Sequence, residues 1–400
     1  MTDTLAEPVT AGSARLRELI DTIDADVVER DQEKRPPFAE FELLKAARIG
    51  ALRLPVAEGG GGATVTELFA TVIDLAEADP NVAHSLRNHY QFVEQLLRRP
   101  RESNAKWFEH VRAGRLFGLA ATELGRKQAG LRNPGFETVV VTTSEGLRLT
   151  GTKFYSTGNL YADLLVVAAQ GPDGEPARLV VPVDRPGVFI ERDWDGIGQR
   201  FTGSGTTRFE NTPVHEEDFV QNGAWYGDVP YLATFPQLIL TAIIAGIVRR
   251  AARDARDLVR AKQRTFYHAA ADQPVDDPIL QQSVGYLASQ AFVAEAAVLT
   301  AAAALQQATE SQGGPDEADL ALRASLRAAK AKVVVDEQAL RAATELFDVG
   351  GGTAVRQINH LDRHWRNIRT LASHNPRTYK AKAIGAYEIS GTPLPNGGFF

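Results

Sequence analysis

The 400-residue chain contains no cysteine. That absence excludes disulfides, thiolate catalysis, Cys-ligated zinc and iron–sulfur clusters together, so redox chemistry has to come from a bound organic cofactor or from a metal held by His and carboxylates. Basic residues are not in excess: 44 Lys and Arg stand against 50 Asp and Glu, which leaves no positive field to draw in nucleic acid or anionic lipid. Met1 to Ala14 lacks a basic start followed by an apolar stretch, so no secretory leader is predicted and the cytoplasm is the expected location. Long apolar runs are scarce. The most apolar one, Leu238 to Val248, is roughly half the length a membrane span requires and reads as a buried helix. No internal repeat is present.

What is there falls into three textures. From Ser13 to Leu97 apolar residues recur at spacings of three and four, the helical pattern, with Pro36-Pro37 and Gly59 to Gly62 as punctuation. From about Leu116 to Phe219 the runs "TVVVTT", "LRLTGTKFY", "DLLVVAA" and "ARLVVPV", separated by Gly, Pro and Asp, read as strands. From Tyr231 to Leu346 long helical periods return, rich in Ala, Leu and Arg. Helices, then strands, then helices is an α+β arrangement and argues against a doubly wound nucleotide fold, in which the two alternate. The expected division is an N-terminal helical domain (1–115), a central β-domain (116–228) and a C-terminal helical bundle (229–400).

Two features tempt other readings. Gly59 to Gly62 lacks the following Lys-Ser/Thr and the strand-to-helix setting of a phosphate loop, and reads as a turn between helices. Among the eight histidines, His84 and His89 are five apart and His360 and His364 four apart. Neither pair has an accompanying carboxylate or an HExxH spacing, so no metal site is predicted.

The order of segments resembles the acyl-CoA dehydrogenase superfamily over nearly the whole chain. "IGALRLPVAEGGGGATVTELFATVIDLAEAD" is similar to its "GLLGL.VPEEYGGLG" turn, "FGLAATELGR" to "G.FALTEP.AGSD", and "LTGTKFYSTGNLYADLLVVAA" to "LNG.K.WITNG..AD...V.A". "WDGIGQRFTGSGTTRFENTPV" resembles "K.G.R.S.T.EL.FE.V.VP", and Gly350 to Gly352 sits where the family carries a glycine pair. The resemblance implies that the fold is acyl-CoA dehydrogenase-like and that a flavin is bound. It places Thr122 at the pyrimidine edge of that flavin, Thr157 at its N5/O4 edge and Tyr155 beside the ring. Reduced N5–H needs an acceptor, which a threonine hydroxyl supplies.

The departure from the dehydrogenases lies near the C-terminus. Their α-proton acceptor is a glutamate about six residues after the last basic residue of an "RD.R" segment. Counting six from Arg369 gives Asn375, and no Asp or Glu occurs between Asp362 and Glu388. An amide does not accept a proton at neutral pH, so dehydrogenation lacks its base. The helix "TFPQLILTAIIAGIVRRA" offers no carboxylate in its place.

Instead, "HWRNIRTLASHNPRTYKAKAIG" resembles the "FWRN.RT....HDP..YK...VG" ending of the flavin monooxygenases on this scaffold, among them dibenzothiophene monooxygenases and amine N-hydroxylases. That resemblance implies a two-component enzyme: a separate reductase delivers reduced flavin, which captures O₂ as a C4a-(hydro)peroxide and passes one oxygen to a small organic substrate at S, N or aromatic C. It carries two pocket histidines onto His374 and His89, and an aromatic wall onto Trp194. Leu371 and Thr157 depart from the dibenzothiophene pattern, which has histidine and serine there. Arg264 in "KQRTFYH" is the match for the phosphate-binding arginine, with the final glycine of the dehydrogenase segment missing. FMN is therefore the expected cofactor and FAD the alternative, with an FAD-dependent acyl-CoA dehydrogenase as the rival function. By the same resemblance a homotetramer is expected.

Overall fold

The structure, a computed structural model, describes residues 7–98, 102–125, 130, 135–220 and 230–400. The first six residues and the domain boundary expected after residue 228 lie outside the described residues. Seven helices come first: α1 (Ala14–Asp24), α2 (Val27–Glu33), α3 (Phe38–Ala46), α4 (Val65–Ala78), α5 (Pro80–Ser85), α6 (Arg87–Leu97) and α7 (Ala105–Arg112). Their starts are written in the sequence. Thr64 caps α4 with a reciprocal bond to Glu67, and Asp79 caps α5, whose first residue is Pro80. The Gly59 to Gly62 run turns the chain into α4, with Gly59 and Gly62 at positive φ.

Among the described residues seven strands form one sheet. β1 (Phe117–Ala120) runs parallel to β4 (Leu164–Gln170), which pairs antiparallel with β5 (Pro176–Pro182). The end of β4 meets β2 (Val139–Thr143), and antiparallel pairing continues through β3 (Gly146–Lys153) and β7 (Thr207–Val214) to β6 (Val188–Ile190). The four apolar runs named above are β2 to β5. β1, β6 and β7 escape that pattern because they are short or, in β7, alternate only weakly between buried and exposed residues.

Five helices follow: α8 (Thr234–Ala261), α9 (Pro278–Glu310), α10 (Glu317–Gly350), α11 (Asp362–Ala372) and α12 (Arg377–Ser390). Leu238 to Val248 lies in the buried N-terminal half of α8, as its composition predicts. The whole helix is longer than that run, and by length and composition alone both α8 and α9 are able to cross a membrane. α4, α8, α9 and α10 pack into one core shared by the first and last thirds of the chain, with Leu68, Val72, Ile243, Val298 and Val335 fully buried. Gly246 permits the approach of α8 to α4, since a Cβ there would lie 2.4 Å from the Ile73 carbonyl. The alanines of α9 and α10 mostly face inward, where small side chains bring helix axes close. This frame sets α5, the loops after β3 and β6, the start of α8 and the α11–α12 turn around one site.

Candidate active site

The site is organised by a chain of hydrogen bonds that starts at Thr157. Its Oγ1 lies 2.7 Å from Ser204 Oγ, which lies 2.6 Å from Thr202 Oγ1, and Thr202 donates to the Gln199 carbonyl at 2.9 Å. The Gln199 side-chain oxygen then sits 3.0 Å from His84 Nδ1. All five residues are buried. The backbone is tied as firmly: Asn88 Nδ2 donates to the Thr157 carbonyl, Gly158 N–H to the Thr202 carbonyl, and Gln199 N–H to Asn367 Oδ1 of α11 at 2.7 Å. Gly158 is required here. Its φ is +86°, and a Cβ would lie 2.3 Å from the Ser85 carbonyl.

Tyr155 and Trp194 stand beside this chain, their rings perpendicular at 6.2 Å, and Trp194 Nε1 donates to the Gln199 carbonyl. Tyr155 is exposed and holds a left-handed backbone, φ 55°. Thr122 is exposed just beyond β1, where its carbonyl accepts the Phe154 N–H next to Tyr155. The adjacent Glu123 is structural: buried, it takes Lys153 Nζ at 2.6 Å and the N–H groups of Glu137 and Thr138.

His374 occupies the α11–α12 turn. Its ring is reached by solvent yet crowded by protein on most sides, the position of a side chain in a recess, and it makes no hydrogen bond to a described residue. That crowding, then the charges of Arg87, His84, Lys332 and Lys380, hold it well below the ordinary histidine range. His84 lies at about 3 for the same first reason, burial, with Arg87 adding to it and Gln199 opposing. Both imidazoles are neutral at pH 7. The edge of the Phe399 ring covers His374, with centroids 5.3 Å apart. Asn375, at the dehydrogenase-base position, is buried and donates to Gln237 Oε1 and to the Phe399 carbonyl.

His89 is a correction. Its Nε2 is 2.9 Å from the Gly50 carbonyl, and its Nδ1 accepts the Phe117 N–H at 3.1 Å. With both ring nitrogens spent on backbone and burial holding it at about 4, it is a strut between α6 and β1 with nothing left for a ligand. The histidine that enters the site is His84. His84 and His89 are not on one helix: α5 ends at Ser85, and Leu86 turns the chain into α6. Gln199, Thr202 and Ser204 were also missed. They lie in the "GIGQRFTGSG" loop, whose one signal was its similarity to the family segment.

Arg264 is not brought to this site within one chain. It is exposed in the loop after α8, whereas Gln237 near the start of that helix touches Asn375. The helical stretch between them is about 36 Å long at 1.5 Å per residue. His360 and His364 diverge, to Asp31 at 2.6 Å and Asp254 at 2.8 Å, and among the described residues no group of three His, Asp or Glu is arranged to hold a metal.

The residues present fit a flavin. Ser156 Oγ, Asn88 Oδ1, His84 Nε2 and Gln199 Nε2 are buried around Thr157 without a partner among the described residues. Each such atom costs about 1–3 kcal/mol, so four in one patch mark a surface that a polar, planar ligand completes.

Known proteins resemble this chain in sequence and in fold. Residues 238–377 match the family model described as "Acyl-CoA dehydrogenase, C-terminal domain". The chain is 29% identical to a probable FMNH2-dependent monooxygenase, SfnC of Pseudomonas putida, over 96% of each chain. It is 27% identical to the dibenzothiophene monooxygenase of Mycolicibacterium goodii, over 95% of this chain and 94% of that one. Two solved structures superpose over 96% of this chain and 98% of theirs. TdsC from Paenibacillus sp. A11-2 with FMN and indole has a TM-score of 0.86 at 25% identity. The methanesulfinate monooxygenase MsuC from Pseudomonas fluorescens has 0.85 at 26%.

Proposed function

We propose that the chain is a flavin-dependent monooxygenase on the acyl-CoA dehydrogenase scaffold, a two-component enzyme that uses reduced FMN and O₂ to oxygenate a small sulfur-bearing organic molecule. The observation that carries this reading is the pairing of a missing base with two neutral histidines. The dehydrogenase position holds Asn375, an amide already donating to two carbonyl oxygens, while His84 ends the hydrogen-bond chain from Thr157 and lies near enough to His374 to act on it.

Bound reduced FMN supplies the two electrons with which O₂ is divided between substrate and water. The protein's part is to place, dry and protonate. Thr157 Oγ1, held in position by Ser204, would accept from a ring N–H of the bound flavin. Tyr155 and Trp194 wall the opening, and Phe399 closes the face over His374. Water kept out is hydrogen peroxide not released. In the tautomer that donates from Nδ1 to Gln199, His84 presents a lone pair at Nε2, and neutral His374 is free to take or return a proton at either nitrogen.

The reductase is a separate protein, and free reduced flavin passing between the two places both in the cytoplasm. The assembly is a homotetramer. The outer face of α9 leaves Ile279, Tyr286, Phe292 and Val293 exposed, an apolar surface suited to another copy. Across that assembly Arg264, exposed after α8, would hold the FMN phosphate of a neighbouring subunit.

The test is to mix the protein with reduced FMN, O₂ and thioether or sulfinate substrates and to measure oxygenated product per FMN. Stoichiometric product is expected. Bleaching of bound oxidised flavin by an acyl-CoA, without product, overturns the proposal.

A further inference from the structure

Three short oxygen–oxygen contacts run in line through the site: Thr157 Oγ1 to Ser204 Oγ at 2.7 Å, Ser204 Oγ to Thr202 Oγ1 at 2.6 Å, and Thr202 Oγ1 to the Gln199 carbonyl at 2.9 Å. Neutral oxygens approach this closely only with a proton between them. Each hydroxyl carries one proton and the carbonyl carries none. Three protons therefore fill three contacts in one way: Thr202 donates to Gln199, Ser204 to Thr202, and Thr157 to Ser204. Reversing any link leaves another contact with no proton in it. The accepting end is fixed as well, because the Gln199 carbonyl also takes Trp194 Nε1 at 2.9 Å and the Gln199 N–H is held by Asn367. All three hydroxyl residues are buried.

The direction of this chain decides what Thr157 offers a ligand. Its proton is turned inward to Ser204, so only lone pairs are left on Oγ1. A neighbouring amide is fixed by the same rule. Asn88 Nδ2 donates to the Thr157 carbonyl at 2.8 Å, and since a carbonyl only accepts, the amide cannot be turned round. Its Oδ1, another acceptor, is buried without a partner among the described residues. Ser156 Oγ is unpartnered there too, but that hydroxyl turns freely and suits a donor or an acceptor alike.

We propose that Thr202 and Ser204 are positioning residues that lock Thr157 as an acceptor, so that the site distinguishes the oxidation states of its cofactor and holds reduced FMN more tightly than oxidised FMN. The inference rests on the flavin reading above, with ring nitrogen N5 at Thr157 as the family resemblance places it. Oxidised flavin carries a lone pair at N5, which would meet the lone pair of Thr157. Two-electron reduction puts a hydrogen on N5, and the same contact becomes a hydrogen bond. A threonine free to turn its hydroxyl would suit both forms and discriminate between neither. For a protein that receives reduced flavin from another, the lock favours loading of the reduced cofactor and release of the oxidised one.

The experiment reads binding and potential, not turnover. Full-length protein is titrated calorimetrically with oxidised FMN and, without oxygen, with reduced FMN. The wild-type chain should hold the reduced form about tenfold more tightly or better, the worth of one buried hydrogen bond. The midpoint potential of bound FMN should then lie about 30 mV or more above that of free FMN, the equivalent of tenfold for a two-electron couple. Ser204→Ala frees the Thr157 hydroxyl to turn outward, so oxidised FMN should bind more tightly, reduced FMN much as before, and the potential should move back toward the free value. Thr202→Val lets Ser204 donate to Thr157 and should act in the same direction, whereas Thr202→Ser should behave as wild type. Thr157→Val should erase the preference by the opposite route, weakening the reduced form. Equal binding of the two forms by wild-type protein overturns the inference. So does a preference that folded Ser204→Ala and Thr202→Val retain, including the case in which both forms weaken alike. Oxygenated product from a wild-type chain that lacks the preference sinks the lock and leaves the monooxygenase standing. A preference that Ser204→Ala abolishes, with no substrate oxygenated, upholds the lock and sinks the monooxygenase.

Discussion

Gln199 holds His84: its side-chain oxygen lies 3.0 Å from His84 Nδ1, while its main-chain carbonyl receives both the Trp194 indole and the Thr202 hydroxyl. Its backbone has φ 53°, a conformation that costs a non-glycine residue about 1–2 kcal/mol. The surrounding bonds, including Asn367 Oδ1 on its N–H, maintain that conformation. One residue thus joins the Thr157 edge, the aromatic wall and the buried histidine. Gln199→Leu keeps the bulk and removes the side-chain bond, so FMN binding should persist while product per reduced FMN falls roughly tenfold, the worth of one buried hydrogen bond. Hydrogen peroxide should rise in step. Unchanged coupling in this variant would show that His84 needs no holder.

His374 and His89 should separate cleanly. The His374 ring makes no hydrogen bond to a described residue and sits in the recess, so His374→Ala should leave the melting temperature nearly unchanged. Oxygen transfer should drop by about 10²–10⁴, the usual loss for a general acid or base. His89→Ala leaves the Gly50 carbonyl and the Phe117 N–H buried and unpaired, at about 1–3 kcal/mol each. The expected result is a lower unfolding midpoint with normal coupling in the folded fraction. Product, peroxide and denaturation curves measured side by side decide both.

Two buried histidines, His84 and His89, set a pH dependence of stability. Burial holds His84 at about 3 and His89 at about 4, against an ordinary value of 6.5. Between those values and 6.5 the unfolded chain binds a proton that the folded chain refuses, so stability rises with pH over that window and is lost as pH falls through it. Each residue contributes a slope of about 1.4 kcal/mol per pH unit at most. Urea midpoints should therefore fall steeply from pH 6.5 to 4.5 and change little from pH 6.5 to 8 on account of these two groups. His89→Gln should flatten the acid limb even though it lowers the plateau; an identical limb would remove His89 as a source.

Much of the fold was legible because its signals are local. Thr64 with Glu67, Asp79 before Pro80, and the β-branched runs of β2 to β5 each mark an element without help from the rest of the chain. The absent base was legible too, as a count from Arg369 to Asn375. The choice between His84 and His89 was not. It depends on Leu86 turning one helix into the next, a change of direction too small to leave a breaker residue in the sequence. Gln199 and Ser204 were invisible for another reason. Their roles arise from a loop folding back onto α5 and the segment after β3, contacts made across more than forty residues. The Phe399 contact with His374 is of the same kind, closed by the end of the chain returning to Gln237 and Asn375.

Arg264 provides the last prediction, because its place in the chain dictates how it has to act. It follows α8 at the end remote from Gln237 and Asn375, about 36 Å along the helix, so its own site is out of reach. If it meets the FMN phosphate, the phosphate belongs to another copy. Arg264→Ala should weaken FMN binding by about tenfold or more, the loss of one charge-assisted contact, while the tetramer survives. Mixing supplies the sharper measurement. An Arg264→Ala chain has an intact His374 recess, and a His374→Ala chain has an intact Arg264. At FMN concentrations too low to fill the Arg264→Ala protein, co-refolded assemblies of the two impaired variants should recover activity, because some sites then combine the good recess of one chain with the good arginine of its neighbour. Light scattering should give the mass of four chains for the mixture and for each parent. A mixture as inactive as its parents, with mixed assemblies demonstrated by mass, would mean that Arg264 does not complete a neighbour's site. A monomeric mass at micromolar concentration would overturn the assembly itself.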